Sequence, residues 1–354
     1  MSRWYALFRQ SLDLLKPSRW ICVFFGIFLA FAWNEGGSAD LSCFFLSIAR
    51  AEEALEIVEV EELVRPDYVL LHAGSSGKAV EFLQERLLRL GYDAGGIDGK
   101  YGGSTVAAVK EFQLRNGLDV DGIAGEKTQE VLYSADAAPA QLPENPTDVL
   151  AGDWPYLVNR DHPISEDFIP ANLIFLEDEL DEALVKIKYR GTRGVREAVE
   201  ALKLMLEAAK ADGITNWQIS AGYRTWASQE SLLNNKIQSL RNRHSGWSKT
   251  QAREAALKTV AEPGTSEHHL GLAFDVNVPG AKTFSSTKQC KWLHKHCWEY
   301  GFIIRYQKEK ESITGFAAEA WHIRYVGVDH ALAMQRDNVC LEEYVLNDPS
   351  GNAD

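Results

Sequence analysis

The chain has 354 residues, with 37 Lys and Arg against 50 Asp and Glu and a formal net charge of −13. That length suits two folded units with connecting segments. The acidic balance excludes nucleic acid as the main partner, because phosphate contacts need cations in excess. Apolar and charged fractions of 45% and 25% are those of a globular protein and exclude disorder throughout.

Residues 1–51 read as an export segment. Arg3, Arg9, Lys16 and Arg19 precede an apolar run, 20–33, broken only by Gly26. The run is shorter than the roughly twenty residues of a membrane span and suits the apolar core of a signal peptide. A second apolar patch, 43–49, leads into Ala49-Arg50-Ala51, a candidate cleavage site. The expectation is an extracytoplasmic protein, in the cell wall or periplasm, with this segment either removed or kept as a membrane anchor. An acidic spacer, 52–73, follows and carries Glu52, Glu53, Glu56, Glu59, Glu61 and Glu62. The five cysteines, Cys22, Cys43, Cys290, Cys297 and Cys340, show no zinc-ribbon spacing. Cys290 and Cys297 on one helix would lie too far apart to bridge directly. Buried free thiols are expected, with a pairing to Cys340 left open.

Residues 74–134 form a small helical module. Val80, Leu83, Leu87 and Leu90 share one helix face, and Gly91 is placed to end it. Asp-Gly-x-x-Gly-x-x-Thr occurs at Asp98 and again at Asp121, 23 residues on. Its glycines permit tight turns, and Thr105 and Thr128 can cap or start the next helix. A compact three-helix bundle is predicted. On these turns and on Phe112-Gln113, the module resembles the bacterial peptidoglycan-binding domain, which implies anchoring to cell-wall glycan. The Ala- and Pro-rich stretch 135–150 reads as an extended linker that would let the two domains sample neighbouring wall strands.

The second domain, 151–346, is followed by a tail, 347–354. Helices are predicted over 195–211, 228–242, 248–261 (capped by Ser248) and 288–300. Strands are predicted over 218–224, 272–278, 302–306 and 321–326. Without regular βαβ alternation, this order predicts an α+β fold.

Within it, His268, Asp275 and His322 offer two imidazoles and one carboxylate, a ligand set that leaves a fourth position open as in catalytic zinc sites. Glu319 is a carboxylate able to take a proton from water beside such a metal. On strand 272–278, Leu272, Phe274, Val276 and Val278 share the core face, leaving Ala273, Asp275 and Asn277 for a cleft. Trp321, Ile323 and Tyr325 fall on the core side of the last strand. Glu319 would alternate away from His322 in an ideal strand, so a bend is expected there. His269 is read as structural, and His294 and His296 as ordinary helix residues.

Ser266, His268, Gly271, Ala273 and Asp275 spell S-x-H-x-x-G-x-A-x-D, and Glu319, Trp321 and His322 spell E-x-W-H. On these motifs the domain resembles the LAS metallopeptidases, the group of VanY-type D-alanyl-D-alanine carboxypeptidases. Ala320 departs from the proline common there, and Ser220-Ala221-Gly222-Tyr223-Arg224-Thr225 carries one extra residue against S-G-Y-R-S. The resemblance implies a small antiparallel sheet flanked by helices and a zinc cofactor held by His268, Asp275 and His322. It also implies Glu319 as general base and Arg224 as the group meeting charge on the tetrahedral oxygen or holding a substrate carbonyl. Ser266 and Gln229 would bind the terminal carboxylate, and Tyr223 and Trp321 would be further substrate contacts. The implied reaction is zinc-dependent removal of the terminal D-Ala from peptidoglycan stem peptides. Endopeptidase or L,D-carboxypeptidase activity of the same fold, or a catalytically silent wall-binding protein, are the alternatives. H-E-x-x-H and G-x-S-x-G are both absent, which argues against a zincin or a serine hydrolase.

Overall fold

The structure, a computed structural model, describes residues 66–140, 146–151 and 155–346. The expected export segment and tail lie outside the described residues, as does most of the expected acidic spacer. Among those described, no helix is long and apolar enough to cross a membrane.

The module consists of α1 (Lys78–Arg89), α2 (Gly103–Arg115) and α3 (Glu126–Leu132). Val80, Leu83, Leu87, Tyr92, Phe112 and Leu132 meet in its core. A buried glutamine explains each turn of the repeat. Gln84 Nε2 donates to Asp98 Oδ1 and Thr105 Oγ1 at 2.9 and 3.1 Å, and its Oε1 accepts from the backbone N–H groups of Asp98 and Gly99. Gln113 does the same with Asp121, Thr128 and Gly122. The threonines therefore do not cap the helices. Gly102 and Gly125 hold the N-cap positions, and Thr105 and Thr128 instead satisfy a buried amide that would otherwise lose its water at a cost.

The described parts of the expected linker are packed. Ala137 is buried in the module core, and the Tyr92 hydroxyl donates to the Ala138 carbonyl at 2.8 Å. Val149 joins the core of the second domain. The module itself is seated on that domain. Arg193 Nη2 meets Asp93 Oδ2 at 2.7 Å, and Ile97 pairs with Arg190 through the backbone. Free sampling of neighbouring strands is thus not what these contacts describe: an Ala/Pro composition marks missing periodicity but does not prevent small residues from docking.

The second domain runs β1 (Leu173–Phe175), α4 (Leu176–Glu179), β2 (Val185–Ile187), β3 (Arg193–Val195) and α5 (Arg196–Ala211). It continues with β4 (Trp217–Ala221), α6 (Trp226–Arg243), α7 (Lys249–Ala256), β5 (Ala273–Asn277) and α8 (Lys288–His296). Last come β6 (Phe302–Tyr306), α9 (Glu311–Thr314), β7 (Glu319–Tyr325), α10 (Val328–Asp337) and α11 (Leu341–Val345). Five strands form one sheet in the order β2-β4-β5-β7-β6, antiparallel except that β2 runs parallel to β4 at one edge. β1 and β3 make a separate antiparallel pair. The fold is α+β, as expected.

Helix α5 buries Val199, Leu202, Met205 and Leu206 against Phe274, Val276 and Ile323 in one core, each large apolar side chain contributing about 1.5–3 kcal/mol. Ser248 caps α7 in a reciprocal arrangement with Gln251. The helix expected over 288–300 ends at His296 and tightens into a 3₁₀ turn, Cys297–Tyr300. Cys290, Cys297 and Cys340 are buried and unbridged.

Candidate active site

The site lies where β5 and β7 pair beneath a 3₁₀ turn, Glu267–Leu270, that carries His268. Gly271 closes this turn at φ 67°, and a Cβ there would stand 2.8 Å from the Leu173 side chain. Only glycine satisfies both the left-handed backbone and that close approach. The chain then enters β5, whose apolar residues face the core and leave Asp275 directly opposite His322 of β7. A register shift between β6 and β7 sets Tyr306 against Glu319 two residues after Ile304 pairs with Ile323. This irregularity is the expected bend, and it brings Glu319 Oε2 to 3.9 Å from His322 Nδ1.

His268, Asp275 and His322 each offer a ligand atom within 4.8 Å of the others. Asp275 Oδ1 lies 3.5 Å from His268 Nε2 and 3.1 Å from His322 Nδ1. Each ring spends its other nitrogen on an acceptor. His268 Nδ1–H donates to the Gly222 carbonyl at 2.8 Å, and His322 Nε2–H donates to Glu267 Oε2 at 3.4 Å. These bonds fix the tautomers and aim Nε2 of His268 and Nδ1 of His322 at the same point.

The electrostatics favour a cation at that point. Burial, with help from Arg224, lowers His268 to about 4, so its imidazole is neutral with a lone pair to give. Burial opposes charge on His322, yet its hydrogen bonds to Asp275 and Glu267 prevail and raise it to about 9. Burial would push Asp275 up, but His268, His322 and Arg224 hold it well below the ordinary carboxylate range. Burial drives Glu319 up to about 7, only partly opposed by His322. In donor type, tautomer and charge these residues fit zinc, and the proton favoured on His322 stands for the positive charge the site calls for.

Arg224 follows β4, its own backbone N–H bonded to the His268 carbonyl. Its Nη2 reaches Asp275 Oδ2 at 3.0 Å, and its Nη1 donates to Gln229 Oε1 at 3.4 Å. Thr225 caps α6 immediately afterwards. His269 is structural, as expected: its Nδ1–H donates to the Arg224 carbonyl and its Nε2 accepts from Gly264 N–H. His294 bonds to the Ala320 carbonyl and His296 to Glu299, away from the metal residues.

A cleft of about 170 Å³ opens over His268, Asp275 and His322, lined also by Arg224, Gln229, Ser266, Glu319 and Trp321. Three expectations change here. Trp321 does not face the core; the bend leaves it 38% exposed on the cleft. Tyr223 does not line this cleft. It lines the neighbouring groove beside the module, under Arg193, whose guanidinium sits 5.1 Å from its ring centre. Gln229 lines the cleft but spends its oxygen on Arg224 and its amino group on the Ala261 carbonyl at 2.8 Å.

The residue that sequence reasoning missed is Glu267. It is wholly buried, 2.7 Å from Arg305 Nε and 3.1 Å from Arg324 Nη1, and it holds His322 from behind. Arg305 in turn grips both oxygens of Glu342. Burial raises a carboxyl, but the two guanidinium groups outweigh it and keep Glu267 far below its ordinary value. Two arginines in the apolar strands Phe-Ile-Ile-Arg-Tyr and His-Ile-Arg-Tyr were the available signal, since buried guanidinium groups need buried carboxylates.

The family model described as "VanY: D-alanyl-D-alanine carboxypeptidase" matches residues 193–328, and the one described as "Putative peptidoglycan binding domain" matches residues 76–132. The chain is 37% identical over 208 residues to "Putative carboxypeptidase YodJ" of Bacillus subtilis (strain 168), covering 57% of this chain and 68% of that one. It is 34% identical to VanYB in complex with D-alanine-D-alanine, covering 55% of this chain and 97% of the other, with a TM-score of 0.47. It is 36% identical to a VanY D,D-pentapeptidase variant in complex with Zn(II), covering 54% and 97%, with a TM-score of 0.44. With a family model seated over His268, Asp275 and His322 and a relative matched over two thirds of its length, this chain belongs to the VanY D-alanyl-D-alanine carboxypeptidase family.

Proposed function

We propose that the protein is a zinc-dependent D,D-carboxypeptidase that removes the terminal D-Ala from peptidoglycan stem peptides outside the cytoplasm, its module binding the wall. The observation that carries this is the pair of oppositely tethered imidazoles. His268 is held by Gly222 and His322 by Glu267, so that Nε2 of the first and Nδ1 of the second both face Asp275. His268, Asp275 and His322 would hold zinc, which when bound acidifies water and polarises a carbonyl.

The chain's own groups supply the rest. Glu319 takes a proton from the attacking water and returns it to the departing D-Ala amine, and its buried position keeps its basicity close to neutral. Arg224, braced by Asp275 and Gln229, directs its guanidinium toward charge developing on the scissile carbonyl oxygen. Gln229 is a positioning residue for Arg224. Ser266, buried on the cleft wall, is the candidate for the terminal carboxylate, and Trp321 packs on the peptide from the rim.

Mass spectrometry of stem pentapeptide and tetrapeptide incubated with the zinc-loaded protein tests this. Loss of a single D-Ala from the pentapeptide alone is the expected result. Trimming of the tetrapeptide, or internal cleavage, would replace the reading with L,D-carboxypeptidase or endopeptidase activity.

A further inference from the structure

The module does not merely lie beside the catalytic domain; between them is a groove of about 300 Å³. Arg224 and Leu232 line both this groove and the metal cleft, so the two spaces adjoin. One wall is the first turn of the module's repeat, with Asp98, Lys100 and Ser104. The other comes from α6, with Ser228, Ser231 and Asn235, and from Tyr189 and Tyr223. Pairing of β2 with β4 ends at Ile219, and beyond it the backbone of Ser220–Tyr223 runs along the groove. The seat is specific. Ser228 Oγ donates to Ser104 Oγ at 2.9 Å, the Arg193–Asp93 ion pair is largely shielded from solvent, and Arg190 reaches Glu85 at 3.1 Å. A Cβ on Gly103 would displace the Ser231 hydroxyl and stand 3.1 Å from Ser231 Cβ, so the small first residue of α2 lets the module sit this close.

We propose that this groove is the outer half of the substrate site, and that it takes the stem-peptide residues preceding the D-Ala-D-Ala end. The inference rests on the hydrolytic reading above for what occupies the inner half. A chain leaving the metal cleft past Arg224 enters the groove directly. Its walls offer both charge signs, hydroxyls and an amide, which suits a short peptide with acidic and amino side chains better than an apolar partner. On this account the module contributes to catalysis as well as to adhesion, and a repeat turn of a wall-binding fold serves as part of an enzyme's specificity surface.

The test uses the full chain loaded with zinc and compares a stem pentapeptide with N-acetyl-D-Ala-D-Ala. Asn235→Trp, which fills the groove from an exposed position, should lower kcat/KM for the pentapeptide about tenfold and leave the blocked dipeptide within about twofold. Gly103→Trp, which pushes the module off Ser231, should give the same split. Calorimetry with a muramyl tripeptide lacking D-Ala-D-Ala should detect binding to the parent protein and none to Asn235→Trp. Unchanged pentapeptide kinetics in both variants, or an equal fall for both substrates, overturns the groove assignment. A protein that binds the tripeptide in this way yet hydrolyses neither substrate upholds the groove and overturns the hydrolytic reading instead.

Discussion

Glu267→Gln is the perturbation that reaches furthest into the site without replacing a candidate metal ligand. The native carboxylate sits between Arg305 and Arg324 and accepts the His322 Nε2 proton. Glutamine keeps the volume but removes the charge and places an amino group among three donors. Removing one partner of a buried ion pair costs about 3–5 kcal/mol, because the remaining charges stay buried. In the neutral form of His322 that binds metal, a donor facing Nε2 favours the tautomer with its proton on Nδ1, the nitrogen that faces Asp275. Loss of such a supporting acceptor lowers metal affinity about 10–100-fold. Zinc titration against a competing chelator, with urea unfolding of the metal-free protein, measures both effects. Zinc affinity within about twofold of the parent protein would refute the tautomer argument. The sign with pH follows from the depressed carboxyl. Its stabilisation is complete above the ordinary Glu range near pH 4 and is lost as pH falls toward the folded value, so Glu267→Gln should flatten acid unfolding.

Three further outcomes are expected. Because His322 is raised to about 9 before metal binds, zinc must displace its proton, and apparent affinity should fall about tenfold per pH unit below that value; affinity flat from pH 6 to 9 would contradict this. Glu319, raised to about 7, must lose its proton to act, so kcat/KM should climb with pH to a plateau starting at or below about 7, the zinc charge shifting it downward. A decline between pH 5 and 7 would show that another group is the base. In the module, Gln84→Ala strands the Asp98 and Gly99 amides and should destabilise by about 1–3 kcal/mol, read from denaturant midpoints, whereas an exposed change such as Lys78→Ala should do little.

The candidate metal residues could be named from the sequence because their spacing is local to one turn and one strand. His268 to Asp275 crosses a glycine turn into alternating β5, and Glu319 to His322 crosses a single irregularity. That same irregularity defeated the alternation argument for Trp321, since the register against β6 shifts by two residues between Ile323 and Glu319 and strict alternation breaks there. Glu267 stood inside the recognised motif, yet its role depends on Arg305 and Arg324, 38 and 57 residues away. Strands β1, β2 and β3, three residues each, are too short to show a period. The repeat announced the module, but its seating on α6 rests on single contacts such as Gly103 against Ser231, which no periodicity encodes.

The most direct test of the central claim measures zinc content and D-Ala release from stem pentapeptide on the same samples of the parent protein and Glu319→Gln. The account predicts one zinc in each and release slower by about 10²–10⁴-fold in the variant, abolished in both by chelator and restored by zinc. Release by Glu319→Gln near the parent rate, or parent activity that survives full removal of zinc, would contradict it.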